Sequence, residues 1–233
     1  MGNECVAIHQ PDFLPHLGFF YKLVCCDQFV ILDHVQFPRA GWVHRDLIKD
    51  QCGDVKWLTV QTIKNRYSAR INEIKISDDR EWRDKHKRII FNAYNKARYY
   101  SDVYAMVSDI YDYKTNNLLE FNVNALRSMF SRLGLSPSIC YSSDFNLNSS
   151  KSELMAELVC KVGGKVYLAG QGSRDYHDNE PFDKRGVDVI WSNYAAPKYE
   201  QVNGDFVNNL SILDYLFNCG FSSCRDLLKS WRR

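Results

Sequence analysis

The chain has 233 residues, enough to bury a sizeable core within one large domain. Its hydrophobic fraction of 45% and charged fraction of 25% are ordinary for a globular protein in water, and a net charge of +2 gives the whole chain no electrostatic case for nucleic acid. No apolar run approaches a membrane span, and the opening MGNECVAIHQPDFLPHLG carries neither a secretory n-region nor a myristoylation pattern, so a cytoplasmic protein is expected.

In chain order, Cys5–His9 is a short apolar run that predicts a strand, broken by Gln10-Pro11-Asp12. Pro15–Cys26 predicts a helix, with Leu17, Phe20, Tyr21, Val24 and Cys25 at three- and four-residue spacing. Phe29–Leu32 is a run of β-favouring residues and predicts a buried strand. Asp33–Ile48 is dense in polar and aromatic residues and reads as partly loop. Trp57–Val60 predicts another strand, and Ile71–Ile76 alternates in a half-strand pattern. Asp79–Tyr94 and Asp102–Leu133 predict helices, with Gly134 as a C-terminal cap. Ser136–Tyr141 is extended, Lys151–Val162 helical, Lys165–Ala169 and Asp188–Trp191 strands, and Ser211–Asn218 a helix stopped by Gly220.

Strands alternating with helices predict an α/β fold: an open, mostly parallel sheet flanked by helices, in a single domain over residues 1–233. A helical lobe is expected at about residues 81–133. Basic residues interleave with Trp82, Phe91, Tyr94, Tyr99 and Tyr100 between Arg80 and Arg98, which fits an amphipathic helix with a solvated basic face. The many aromatic residues are expected mainly in the core. Eight cysteines form no CxxC pair and are expected to act as small buried hydrophobes, with no metal site.

Chemistry is expected at three strand ends. His9 closes the first strand, before a turn stiffened by Pro11 and Pro15 and a helix whose N-terminus suits a phosphate. Open α/β sheets place their ligands at the carboxyl ends of strands, and Gly18 lets a neighbour come close. Asp33 ends the second strand and, if the two strands pair in parallel, stands beside His9, where it could orient the imidazole as a general base. Arg39 and Arg45 suit phosphate or carboxylate, and Trp42 suits stacking on a base or sugar. The competing reading of this segment is a solvated loop with a structural Arg–Asp pair. The third strand end is Gly170-Gln171-Gly172-Ser173-Arg174, where Arg174 could neutralise an anion. His16 and the cysteines carry no expected chemistry. The layout around His9 is similar to the opening of nucleotidylyltransferases, but His16-Leu17-Gly18-Phe19 lacks their second His.

A fuller resemblance covers most of the chain. Ile8–Pro15, Leu17–Lys22, Asp27–Phe37, Gly41–Arg45, Trp57–Val60, Tyr167–Tyr176, Tyr199–Gln201 and Leu210–Asn218 resemble the WbqC-like proteins of bacteria. Members stand among genes for O-antigen and capsule sugars. The resemblance implies an enzyme of surface-polysaccharide biosynthesis that transfers an acyl or aminoacyl group, such as glycyl, to the amine of a nucleotide-linked deoxysugar, with a dTDP-sugar favoured. In that reading His9 is the base, oriented by Asp33. Arg39, Arg45 and Arg174 hold phosphates, and Trp42 or Tyr176 stacks on the base or sugar. Gln10, Lys22, Gln36 and Gln171, in the same motifs, complete the expected substrate contacts. The donor stays open between an ATP-activated acid, a CoA thioester and a charged tRNA, and the near-neutral charge counts against the tRNA. The alternatives are nucleotidyl transfer or adenylate-forming ligation, and a sugar-nucleotide-binding protein without catalysis.

Overall fold

The computed structural model describes residues 4–38, 40–63 and 68–232. The chain runs β1 (Cys5–His9), α1 (Leu17–Cys25), β2 (Gln28–Ile31), β3 (Arg45–Lys49), β4 (Val55–Thr59), α2 (Glu81–Tyr94), α3 (Tyr100–Asp112) and α4 (Leu118–Leu133). It continues through β5 (Ile139–Tyr141), α5 (Lys151–Lys161), β6 (Val166–Ala169), α6 (Glu180–Asp183), β7 (Asp188–Trp191) and α7 (Ile212–Trp231). Five strands form one parallel sheet in the order β5-β2-β1-β6-β7, and β3 and β4 form a separate antiparallel hairpin. The expected parallel α/β sheet flanked by helices is therefore present.

Strand periodicity sorts the side chains between two cores. Ala7, Phe29, Ile31 and Leu168 face the larger core, under α1, α4 and α7. Val6, Ile8, Val30, Tyr167 and Ala169 face the smaller one, against Leu154, Leu158 and Phe182 of α5 and α6. The chain builds outward from β1 through β2 to β5, then returns to place β6 on the other side of β1. The sheet thus reverses its direction of growth between β1 and β6, the position where doubly wound sheets open a crevice at their carboxyl edge.

Helices α2, α3 and α4 occupy 81–133, the range of the expected helical lobe, and their apolar faces merge into the larger core. In α2, Trp82, His86, Ile90 and Tyr94 are buried while Arg83 donates to the carbonyls of Tyr111, Tyr113 and Thr115. His86 lies between Trp82, Tyr111 and Phe13. Its ring bonds the Thr59 backbone, and its Nδ1 lies 3.0 Å from the Tyr111 hydroxyl. Burial pushes its pKa down to about 4. The neutral ring is the form the fold accepts. Its stabilisation is complete above the ordinary value of 6.5 and is lost as pH falls toward 4, roughly 3 kcal/mol at about 1.4 kcal/mol per unit. Urea midpoints measured from pH 7 to 4 are expected to fall, and less steeply in His86→Gln; equal slopes would remove His86 as a cause.

Four sequence expectations change. The strand β3 lies inside the segment read as partly loop, because its buried Asp46 and Lys49 interrupt the apolar pattern. Ile71–Ile76 is not a half-strand: Ile71–Glu73 is a 3-10 turn, and only isolated bridges, Thr62 to Ile76 and Lys75 to Asn117, form around it. The last helix does not end at Gly220. It breaks there, at φ 80° and ψ 168°, and resumes to Trp231, with the Tyr99 ring filling the space a Cβ would need. Among the eight cysteines Cys224 is buried, five are half-buried, and Cys52 and Cys160 are exposed.

The end of β3 and the start of α7 meet in a buried polar network. Lys49 donates to the Gly204 and Asp205 carbonyls, and Asp214 accepts from the Tyr94 and Tyr199 hydroxyls at 2.9 and 2.8 Å. Lys49 and Asp214 are both fully buried. No helix among the described residues is long and apolar enough to cross a membrane.

Candidate functional site

At the β1/β6 reversal the sheet opens into a crevice of about 1010 Å³. Its floor is the end of β1, its walls the loops after β2 and β6, and one rim the N-terminal turn of α5.

The turn after β1 is pinned from several directions. Phe13 N donates to Trp42 O, Ser211 Oγ to Leu14 O, and Ile212 N to Pro15 O. Asn122 of α4, itself fully buried, donates from Nδ2 to both Pro11 O and Val43 O, each at 2.7 Å. These bonds hold Leu14 at φ 46°, a left-handed conformation that a branched side chain adopts only when its surroundings impose it.

That turn delivers three ionisable groups. His9 Nδ1 lies 3.0 Å from the Gln10 carbonyl, which can only accept, so Nδ1 carries the proton and Nε2 keeps its lone pair. The same Nδ1 lies 3.5 Å from Asp12 Oδ2, and Phe19 meets the ring edge-on. Lys22, on α1, reaches under the strand and donates to Ile8 O at 2.9 Å. Burial shifts all three. It pushes His9 down to about 3, with the Lys22 charge adding to the effect. It pushes Asp12 up to about 7 against the pull of Lys22, and Lys22 down to about 8. At neutral pH the site therefore holds a neutral imidazole, a carboxyl near its midpoint and a mostly charged amine. Clustered shifts of this size mark functional sites more often than structural ones. Behind Asp12 lies Asp46, buried, with an Oδ2 that has no hydrogen-bond partner. Burial, then the nearby Asp12 charge, raise its pKa well above the usual carboxylate range.

The expected site residues divide. His9, Gln10, Lys22, Gln36, Trp42 and Tyr176 line the crevice together. Asp33 does not meet His9. Its carboxylate accepts from Ser142 Oγ, Ser143 N and Ser143 Oγ at 2.7–3.0 Å, tying the end of β2 to the turn after β5. The carboxylate beside His9 is Asp12. Arg45 lies over the Trp57 ring at 4.2 Å, with Nε on Gly41 O, and is not in the crevice wall. Gln171 donates to Ser192 O, and Arg174 lies over Trp191 at 5.0 Å; neither lines the crevice. Arg39 falls outside the described residues. The N-terminus of α1 is not a phosphate seat either. His16 caps it by accepting from Gly18 N, and a Cβ on Gly18 would stand 2.4 Å from that ring, so the close approach Gly18 permits is to His16.

His34, next to Asp33, and Arg70, Ser149–Ser152 and His177, none among the expected site residues, also lie in the crevice wall. Ser149 and Ser150 had a signal, since they stand just before the predicted helix Lys151–Val162, and α5 is the helix whose N-terminus opens here. Arg70 had none: it reaches the site through a single bridge between its backbone and Gln36.

The fold and site define a doubly wound α/β protein with a His–Asp–Lys cluster at its switch point, Asp12 and Lys22 buried and His9 half-buried. The profile of the WbqC-like protein family matches residues 10–226, and the chain belongs to that family. It is also 32% identical to the uncharacterized protein Rv1507c of Mycobacterium tuberculosis over 218 residues, 92% of this chain and 94% of that one. No solved structure matches.

Proposed function

We propose that the crevice binds a nucleotide-linked amino sugar and that the protein transfers an acyl or aminoacyl group to its amine, in the biosynthesis of a surface polysaccharide. The observation that carries this is the neutral His9, with Nε2 unprotonated, held against Asp12 and above Lys22 at the switch point of the sheet. The amine nitrogen attacks the donor's carbonyl carbon and a C–N bond forms. Its proton passes to His9 Nε2 and the donor's leaving group departs with the electron pair of its bond to carbon; because burial leaves the lone imidazole a weak base, the step requires Asp12 ionised beside it, to stabilise the imidazolium that forms. The Lys22 ammonium faces the negative charge that develops on the carbonyl oxygen or that a phosphate brings. Arg70, on the rim, is a second cation for the phosphates. The capped N-terminus of α1 favours this reading over nucleotidyl transfer, which would use that helix end for phosphate. Its test is a thermal-shift panel of dTDP-, UDP- and GDP-linked amino sugars, followed by mass spectrometry with an acid plus ATP, an acyl-CoA or an aminoacyl-tRNA as donor. A raised melting point and an N-acylated product are expected. A flat panel would remove the substrate class.

A further inference from the structure

Two tryptophans on the surface keep much of their ring area in water, and their rings meet each other, His16 and the Arg45 guanidinium. Trp57 stands on the outer face of β4 and is 44% exposed, and Trp42, 38% exposed, stands beside it with ring centroids 5.3 Å apart and planes tilted by 43°. Most of the other large aromatic side chains lie in the two cores. Exposing two indoles side by side leaves a large apolar area in water, which a fold tolerates most readily where a ligand covers it.

The ledge they form is both rigid and positively charged. Trp57 is fixed by its register with Leu47 across the hairpin. The Arg45 guanidinium lies over the Trp57 ring at 4.2 Å and is tethered through Nε to the Gly41 carbonyl at 3.3 Å. Trp42 belongs to both places: it borders Trp57 and also lines the crevice that holds Lys22 and Arg70. A ligand lying across this boundary meets flat aromatic faces on one side and cations on the other. A nucleoside diphosphate has that shape and charge, a flat base joined through a ribose to two phosphates.

We propose that the Trp42–Trp57 ledge seats the base of a nucleoside diphosphate whose phosphates lie in the crevice, so that nucleotide recognition falls to the hairpin and the sugar is left facing His9. This rests on the reading of the crevice as a nucleotide-sugar site. Arg45, expected to grip phosphate, instead braces the stacking surface, and Trp57, outside every expected site residue, becomes part of it.

The test is calorimetric titration of the full-length chain with dTDP, UDP and inorganic pyrophosphate, comparing wild type, Trp57→Ala and Trp57→Phe. Stacking on an aromatic side chain is worth about five- to a hundredfold in affinity per base. Trp57→Ala is expected to weaken both nucleotides within that range and leave pyrophosphate unchanged, with Trp57→Phe recovering part of the loss. Equal nucleotide affinity in wild type and Trp57→Ala overturns the ledge while leaving the crevice reading intact. So does an equal loss for pyrophosphate, which would make the effect structural, or Trp57-dependent binding of a free oligosaccharide in place of the nucleotide. Failure of wild type to bind any of the three ligands overturns the crevice reading, and the ledge with it.

Discussion

Asp214→Ala is expected to destabilise the protein by about 3–5 kcal/mol, the usual cost of removing one member of a buried charged network. Both Asp214 and Lys49 have no exposure to water. The carboxylate accepts from Tyr94, Tyr199 and Asn218, and the first of these comes from α2, far away in the chain. Burial raises the Asp214 pKa, and the tyrosine hydroxyls, the Lys49 charge and Asn218 work against that rise. Removing the carboxylate leaves the Tyr94 hydroxyl, also fully buried, without its acceptor and Lys49 without a compensating charge. A protein of this size loses about 2–4 °C per kcal/mol, so the melting point should drop by about 6–20 °C. Asp214→Asn keeps the volume and one acceptor oxygen and should cost less. Chemical denaturation decides the matter, and a loss below about 1 kcal/mol would show that the network contributes little.

His9→Ala is expected to lower turnover in the acyl-transfer assay on the order of a hundredfold or more, the usual value of a positioned general base. Asp12→Asn should cost at least about tenfold, since it leaves the imidazolium without its counter-charge. The pH profile carries the sharper signature. Asp12 must be ionised, and its pKa stands at about 7, so the rate should rise with pH through that value. Lys22 must be protonated, and its pKa stands at about 8, so the rate should fall above that value. The result is a narrow bell between two groups whose ordinary values lie far apart. Asp12→Asn should erase the acidic limb and leave the alkaline one. Turnover within a few-fold of wild type in His9→Ala would end the assignment.

The sheet was legible because buried parallel strands are short, apolar and flanked by helix signals. β1, β2 and β6 follow that rule, and β7, half-buried at the sheet edge, shares their short apolar run. β3 was not, because the burial of Asp46 and Lys49 is announced by no local pattern: Lys49 bonds carbonyls more than 150 residues further on. Ile71–Ile76 carried strand periodicity but found no partner strand, and alternation alone does not make a ladder. At the candidate site, the position of His9 in the crevice was readable from the strand end and its proline turn. The partner of His9 was not. Asp33 has the right place on its strand, but Ser142 and Ser143 claim both of its oxygens. Asp12, three residues past His9, looked like a turn breaker, and only the folded path of the turn brings it alongside.

Asn122 gives the crevice a division of labour. By gripping Pro11 and Val43 from inside the helical lobe, it makes α4 a strut that sets the spacing between the turn after β1 and the segment leading into the hairpin. The floor is thereby fixed by the same packing that holds the lobe together, and it has no smaller form that could be cut out of the protein intact. The rim is built differently. Trp42, Arg70, Ser150, Lys151 and Tyr176 sit on connecting segments or at a helix start and face solvent. Substitutions there can change which molecule the crevice would hold without disturbing the His9, Asp12 and Lys22 cluster beneath, so relatives with different ligands should keep the floor and vary the rim.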